Sequence, residues 1–428
     1  MTATELKPEK DIYRTSRISY IIEAALEYFI AMLISDSFLA TLLTRTGVSD
    51  ASAGIVTQLA SLAFTMQLVS VFVRPRHGVK LLVTVLHLVN QLTFVSLYLI
   101  PGTGFPQSVK VAVFVVMFLG GHIIANIAQP YKLSWLMSLV PDKSRGRFTA
   151  NKEIISLLGG MAFSYAMGAV VDHYKDIGDE NMGFTLCGIT IFVLAVLHTV
   201  SLVIVKEKPE ETATDEKVSF GEAVRKTFTN KALLKILMID VLWYVTTGIA
   251  VSFYGVYETN DLGFSLKFCA VITILYSLVR SGFSRFLGGL ADKYSWAKML
   301  LLCFGIAGLA FFVNIFTVPS NGKVMFTVYY CLYAVAMAGI NSGLMNITFD
   351  YVPHEDRAAA LGIKYALGGT VGFLSSIVGS FIVKHIQENG NTFAFFGEVY
   401  AQQVLSAIAF AVCVVLVFYI KLFVPVRK

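Results

Sequence analysis

Long apolar runs, broken by short polar turns, recur along the whole chain. A helix rises about 1.5 Å per residue, so about 20 apolar residues cross a hydrocarbon core about 30 Å thick. Twelve runs reach that length, at 18–43, 52–73, 79–100, 109–139, 149–171, 183–205, 233–258, 266–290, 298–318, 324–350, 358–384 and 398–424. Several exceed the minimum, which predicts tilt or kinks. Most connections read as tight turns, such as "PGTGFPQ", "ADKYSWAK" and "VPSNGK". The exception is the charged stretch 206–232, "KEKPEETATDEKVSFGEAVRKTFTNKA", which predicts a linker containing a short amphipathic helix. The expected organisation is a tail at 1–17, a six-helix bundle at 18–205, the linker at 206–232, a second bundle at 233–424 and a tail at 425–428.

Composition points the same way. Of the 428 residues, 56% are hydrophobic and 14% charged, whereas charged residues make up about a quarter of a soluble domain. The expected fold class is an all-α membrane protein with the lipid bilayer as its main solvent. The opening "MTATELKPEKDIYRTSR" lacks the short apolar core and small-residue cleavage site of a signal peptide, so the first run should persist as a membrane span. Cys187, Cys269, Cys303, Cys331 and Cys413 all lie in apolar runs without a CxxC pair, as small buried hydrophobes do.

The net charge of +6 follows from topology. One side collects Lys7, Lys10, Arg14, Arg17, Arg74, Arg76, Lys80, Lys143, Arg145, Arg147, most of the linker's cations, Lys293, Lys298, Arg357, Arg427 and Lys428. The other side offers single residues: Arg45, Lys110, Lys175, Lys267, Lys323 and Lys384. The positive-inside rule then puts both termini and the linker in the cytoplasm, in a cytoplasmic cell membrane. Nucleic acid is not expected as a partner.

The second half restates the first. "VPDKSRGRFTANK" at 140–152 aligns with "VPHEDRAAALGIK" at 352–364, an offset of 212 that pairs Lys152 with Lys364. "YIIEAALEY" at 20–28 aligns with "LMIDVLWYV" at 237–245, placing Glu23 on Asp240. "TGVS" and "KLL" find "LGFS" and "KML" in the same order. Six-span repeats keep their orientation, so the halves relate by an axis along the membrane normal. The second half also reads "GGLADKYSWAK", carrying Gly288, Asp292 and Lys293.

Twelve spans, a central linker, a six-plus-six repeat and this motif resemble the major facilitator superfamily of secondary transporters. The resemblance covers about 17 to 425. It implies two pseudo-symmetric six-helix bundles and a cytoplasmic gate in which Gly288, Asp292, Lys293, Arg145 and Arg357 take part. The first half departs from the motif, reading "VFVRPRHGVK" with Arg74 opposite Asp292. The resemblance further implies that spans one, four, seven and ten line a central cavity.

Polar side chains do fall on those spans. Glu23 and Glu27 lie one turn apart on span one. His122, Asn126 and Gln129 share a face of span four, with Lys132 on its flank; Asp240, Tyr244, Thr247, Tyr254 and Glu258 share a face of span seven. Asn341 lies on span ten and Arg280 near the middle of span eight. Charge inside a bilayer is costly unless it meets water or a partner. Glu23, Glu27, His122, Asn126, Gln129, Asp240, Tyr244, Arg280 and Asn341 are therefore the candidate substrate and ion pathway. Asp240 has a second reading, as the partner of a lysine. Arg280 could pair with an acid or grip a substrate carboxylate. Asp36 and Glu258 read as hydrated groups near the outer mouth. Asn90, Gln91, Asn314, Gln402 and Gln403 read as ties between helices.

The expected function is secondary active transport of a small polar organic solute, such as a sugar or related metabolite, by alternating access in a monomer. No GxxxxGK[ST] loop is present to use ATP, which leaves a proton symporter as the expectation. One charge moved through 100 mV yields about 2.3 kcal/mol, enough for roughly fortyfold accumulation at about 1.4 kcal/mol per tenfold. Efflux of amphipathic or cationic compounds is the alternative. HExxH and GxSxG are absent from the sequence and the histidines have no recognisable catalytic spacing, so an enzyme, a cofactor and a metal are not expected.

Overall fold

The computed structural model describes residues 12–72, 78–141, 145–207, 220–349, 351–352, 357–391 and 399–424. At 70–72, 145–147, 149–150, 220, 222–224, 292, 349 and 357–359 it describes the backbone alone. The cationic positions Lys7, Lys10, Arg74, Arg76, Lys143, Arg427 and Lys428 lie outside the described residues.

The described residues are almost entirely helical and contain no strand. The N-terminal half comprises α1 (Arg14–Leu33), α2 (Asp36–Thr46), α3 (Asp50–Leu62), α4 (Gln67–Phe72), α5 (Val79–Leu99), α6 (Gln107–Ser138), α7 (Arg145–Asp176) and α8 (Glu180–Ile204). Helix α9 (Phe220–Thr229) lies in the connecting stretch. The C-terminal half comprises α10 (Lys231–Ile249), α11 (Tyr254–Val256), α12 (Leu266–Lys293), α13 (Trp296–Asn314), α14 (Gly322–Phe349), α15 (Arg357–Glu388) and α16 (Ala401–Phe423). Among the described residues eleven helices are long and apolar enough to cross a membrane, and α1 with α2, bent by 46°, count as a twelfth when the pair is taken as one span. The chain is an all-α, multi-pass membrane protein. Val116 and Phe381 are each 69% exposed, which suits a surface whose solvent is hydrocarbon.

Local chemistry sets the element ends. Ser49, Ser265 and Ser295 accept from the backbone N–H three residues on, at 3.3, 3.2 and 3.2 Å, as N-caps do. Asn230 caps α10 through Ala232 and Leu233, both at 3.1 Å. Gly47 ends α2 at φ +90, a conformation that a side chain would strain.

The first span of each half is broken. In the N-terminal half the break falls at Ile34–Ser35, and Asp36 beyond it has φ +47, a left-handed conformation that Asp tolerates better than most residues. In the C-terminal half α10 stops at Ile249, and 3₁₀ and π turns carry the chain through Asp261. Both breaks lie in the half of the span remote from the end where α1 begins and α16 finishes. That end is called the tail end below, and the other the far end.

Each half has its own core. Leu33, Leu42, Phe114, Phe118, Phe184 and Ile191 centre the first. Trp243, Phe253, Phe304, Phe311, Phe326 and Tyr329 centre the second, which is more aromatic. The halves meet where α3 packs on α15, α7 on α12, and α2 on α11. Small residues allow the approach: a Cβ at Gly168 would lie 3.0 Å from the Leu266 carbonyl, and one at Gly255 would lie 3.0 Å from the Asp36 carbonyl oxygen.

Polar links seal the far end. Asp172, at the end of α7, accepts from Leu266 N–H at 3.0 Å and Lys267 N–H at 2.8 Å, capping α12 from the other half. Asn260 donates to Asp50 at 2.8 Å and Thr44 at 3.2 Å, and Gln387 donates to Asp50 at 3.1 Å. Asp172→Ala should cost about 1 kcal/mol, the usual worth of a helix cap, seen as a lower Tm. It should also speed thiol labelling, from the far side, of Ser277→Cys on α12, where Ser277 lines the space between the halves; unchanged Tm and labelling would show that this link does not hold the far end shut.

Candidate transport site

Between the halves lies a cavity of about 840 Å³. Its walls come from α1 (Glu27, Tyr28), α7 (Lys152, Glu153, Ser156), α12 (Tyr276, Arg280, Ser284) and α14 (Tyr330, Tyr333). Asp36, Gly255 and Glu258, from the two broken spans, lie at its far end. The helix breaks thus deliver polar groups and backbone to the cavity floor, where irregular backbone in a membrane protein is tolerated.

Behind the α1 wall is a buried charge cluster. Lys132 of α6 reaches both acids of α1: its Nζ donates to Glu27 Oε2 and lies 3.6 Å from Glu23 Oε2. His198 of α8 places Nε2 at 3.1 Å from the same Glu23 oxygen. His87 of α5 lies 3.7 Å from Glu27 Oε1, and its ring centroid is 5.5 Å from that of His198. The side chains of Glu23, His87, His198 and Lys132 are 1%, 1%, 0% and 5% exposed, whereas Glu27 is 32% exposed. Glu27 is therefore the member of the cluster that opens to the cavity. Glu23 Oε1, His198 Nδ1 and both His87 nitrogens have no hydrogen-bond partner among the described residues. Ligand atoms of Glu23, Glu27 and His198 lie within 4.8 Å of one another, close enough for a metal ion. The Lys132 ammonium already supplies the cation between the two acids, so the donor set does not suit a resident metal.

The C-terminal half has a simpler pair. Asp240 Oδ1 lies 3.1 Å from Lys364 Nζ, and both side chains are 3% exposed. Lys364 also donates to the Leu344 carbonyl and lies 3.3 Å from Thr348 Oγ1. Here one acid meets one base. The repeat-related Lys152 takes a different position, over the Tyr20 ring at 5.3 Å and facing the cavity. The repeat preserves the acid position and changes the cation that answers it.

The other sequence candidates fall in several places. Tyr244 packs on Gly368 and Gly372 of α15. Asn126 donates to the His122 carbonyl at 2.9 Å and accepts from Gln67 at 2.8 Å. His122 packs edge-on against Phe118 at 4.5 Å, while Gln129 and Asn341 are exposed. None of His122, Asn126, Gln129 or Asn341 lines the cavity. Glu258, expected to be hydrated, is 1% exposed: Ser37 and Tyr330 donate to its carboxylate, the latter at 3.0 Å. Burial is possible because these hydroxyls replace water. Among the gate residues, Lys293 lies over the Tyr294 ring at 5.3 Å and Gly288 is half-buried. Arg74 and the side chains of Arg145, Asp292 and Arg357 lie outside the described residues.

Sequence reading misses His87 and His198. Both look isolated, on runs three and six, and only the packing of α8 against α1, and of α5 against α8, brings them to the acids. Of the expected helix ties, Asn90 donates to the Gly121 carbonyl at 2.8 Å, Asn314 to Ser406 at 3.1 Å and Gln403 to the Ile315 carbonyl at 2.6 Å.

The Asp240–Lys364 pair generates a stability prediction. Lys364→Met leaves a buried acid without its counter-ion and should cost about 3–5 kcal/mol, whereas joint replacement of a buried pair by apolar residues is often neutral. Asp240→Leu combined with Lys364→Met should therefore recover much of the Tm lost by Lys364→Met alone. Equal losses in the single and double variants would contradict a pair that acts as a unit.

The sequence model of the Major Facilitator Superfamily matches residues 18–380. No curated protein matches the sequence. Among solved structures, the nucleoside transporter NupG superposes with a TM-score of 0.71 at 13% identity, covering 95% of this chain and 98% of that one. A D-xylose-proton symporter gives 0.67 at 16% identity, covering 98% of each chain. An auto-inhibited POT family peptide transporter gives 0.72 at 12% identity, covering 96% of this chain and 98% of that one. At such identities the superpositions establish the fold, and together with the match along 18–380 they show that this chain belongs to the Major Facilitator Superfamily.

Proposed function

We propose that the protein is a proton-coupled secondary transporter, moving a small polar organic solute by alternating access, with both termini in the cytoplasm. The observation that carries this reading is the composition of the cluster behind the cavity: two carboxylates, Glu23 and Glu27, share one ammonium, and one of the two acids opens to the cavity. A buried group of that composition holds one negative charge too many unless it also holds a proton. Glu27 is placed to receive it, because it meets the cavity. When Glu27 is neutral, its claim on Lys132 lapses, and Glu23 at 3.6 Å still compensates the ammonium. Proton binding can then loosen the tie between α1 and α6 without stranding a charge.

The far-end seal fits the same cycle. With α2 against α11 and α7 against α12, the site is closed on the far side, and the cavity runs towards the tail end through Lys152 and Ser284. The opposite state needs those contacts to part, and the breaks at Ile34–Ser35 and Ala250 supply joints for it. The superposable nucleoside, xylose and peptide transporters support a polar organic solute as the cargo class.

The test is uptake into proteoliposomes of a ligand first identified by thermal stabilisation at pH 6 and pH 8. Glu27→Gln should abolish accumulation driven by a pH gradient while retaining exchange of labelled for unlabelled solute. Gradient-driven accumulation that survives in Glu27→Gln would remove Glu27 as the proton carrier. Ligand hits confined to lipophilic cations would overturn the polar-solute reading.

A further inference from the structure

We propose that Arg280 is the anion subsite of the cavity, and that the transported solute carries one carboxylate and no second anionic group. This rests on the reading of the cavity as a transport site, and it names the substrate class of that site.

The lysines around the cavity have partners. Lys132 serves Glu23 and Glu27, Lys364 serves Asp240, and Lys152 lies over the Tyr20 ring. Arg280 lines the cavity from α12, yet among the described residues no carboxylate comes within ion-pair range of it. Its near neighbours on the cavity wall are tyrosines: Tyr276, Tyr28 and Tyr333 are close enough to feel its charge. Neutral hydroxyls do not cancel the charge of a guanidinium. A cation held inside a bilayer without a counter-ion is costly, and the planar fork of arginine matches a carboxylate through two parallel hydrogen bonds.

The acids of the cavity limit what else the solute can carry. Glu27 is engaged by Lys132, Glu258 by Ser37 and Tyr330, and Glu153 adds a further acid from α7. Asp36 lies at the same far end, close enough to Glu258 for the two charges to repel. A second anionic group would meet this acidic floor, so the remainder of the solute is neutral or cationic. Dicarboxylates and phosphorylated compounds are disfavoured on this ground. Sugar acids, hydroxy acids and amino acids fit.

The experiment uses the purified full-length protein and thermal stabilisation by matched probes. These are a hydroxy acid, a sugar acid and an amino acid, each beside its primary amide, together with a dicarboxylate and an uncharged sugar. At least one monocarboxylate should stabilise the protein, with its amide at least tenfold weaker. Arg280→Gln should weaken that acid at least tenfold without lowering the unliganded Tm, and Arg280→Lys should fall between. Should Arg280→Gln fail to fold, the acid–amide comparison on the unaltered protein still decides. Equal binding of acid and amide, or affinity unchanged in Arg280→Gln, overturns the assignment. Stabilisation by the uncharged sugar or the dicarboxylate alone also overturns it, and leaves the transport reading standing. Failure of every probe would count against both.

Discussion

The structure depends on how charge is accommodated where the surrounding solvent is hydrocarbon. An ammonium buried on α6 would be prohibitive alone, and it is stabilised by drawing two carboxylates of α1 to itself. The same acids approach imidazoles from α5 and α8. Four helices of the N-terminal half are thus gathered around one group of polar side chains, under a core of Leu, Phe and Ile that has no directional preference of its own. Apolar packing between helices in lipid is weakly specific, so the charge cluster fixes which faces of α1, α5, α6 and α8 meet. The same cluster touches the cavity through Glu27, which couples the internal order of this half to whatever occupies the transport route.

The two halves share a plan and divide the work. Glu23 and Asp240 are repeat partners, both buried, yet one belongs to a group of two acids, one ammonium and two imidazoles and the other to a matched pair. The proposed function assigns the proton to the larger group. The C-terminal half brings tyrosines and Arg280 to the cavity instead, on α12 and α14. On this reading the N-terminal half handles protons and the C-terminal half grips the solute. The halves touch the same solute-sized space, so each can sense the state of the other.

The legible part of the fold was the part that periodicity and length determine. Runs of apolar residues mark helices because lipid requires every backbone polar group to be satisfied internally, and the order of turns, linker and repeat then leaves few alternatives. The break at Ile34–Ser35 was not legible, since neither Pro nor Gly marks it; Asp36 takes up the left-handed turn. For the site, Glu27 and Arg280 stood out because a charge in an apolar run needs a reason, and both line the cavity. The stripe His122–Asn126–Gln129 looked equally persuasive on a helical wheel. Its amide is taken up by Gln67 and by the helix itself, a partner that helical spacing cannot reveal. His87 and His198 escaped notice for the converse reason: their meaning comes from neighbours 60 and 175 residues away in sequence.

Charge bookkeeping also constrains the energetics of the cycle. A monocarboxylate that moves with one proton crosses the membrane without net charge, so the electrical potential contributes nothing to its accumulation. Only the proton concentration difference remains, and each pH unit is worth about 1.4 kcal/mol, or about tenfold in solute. A zwitterion moving with a proton carries one positive charge instead and gains about 2.3 kcal/mol from each 100 mV as well. Under the proposed assignment, the acidic floor formed by Asp36 and Glu258 would attract the cationic end of such a molecule, with Arg280 on its carboxylate. The arrangement of fixed charges would then decide more than which solute is held. By setting the charge of the loaded complex, it would select which component of a proton gradient can act.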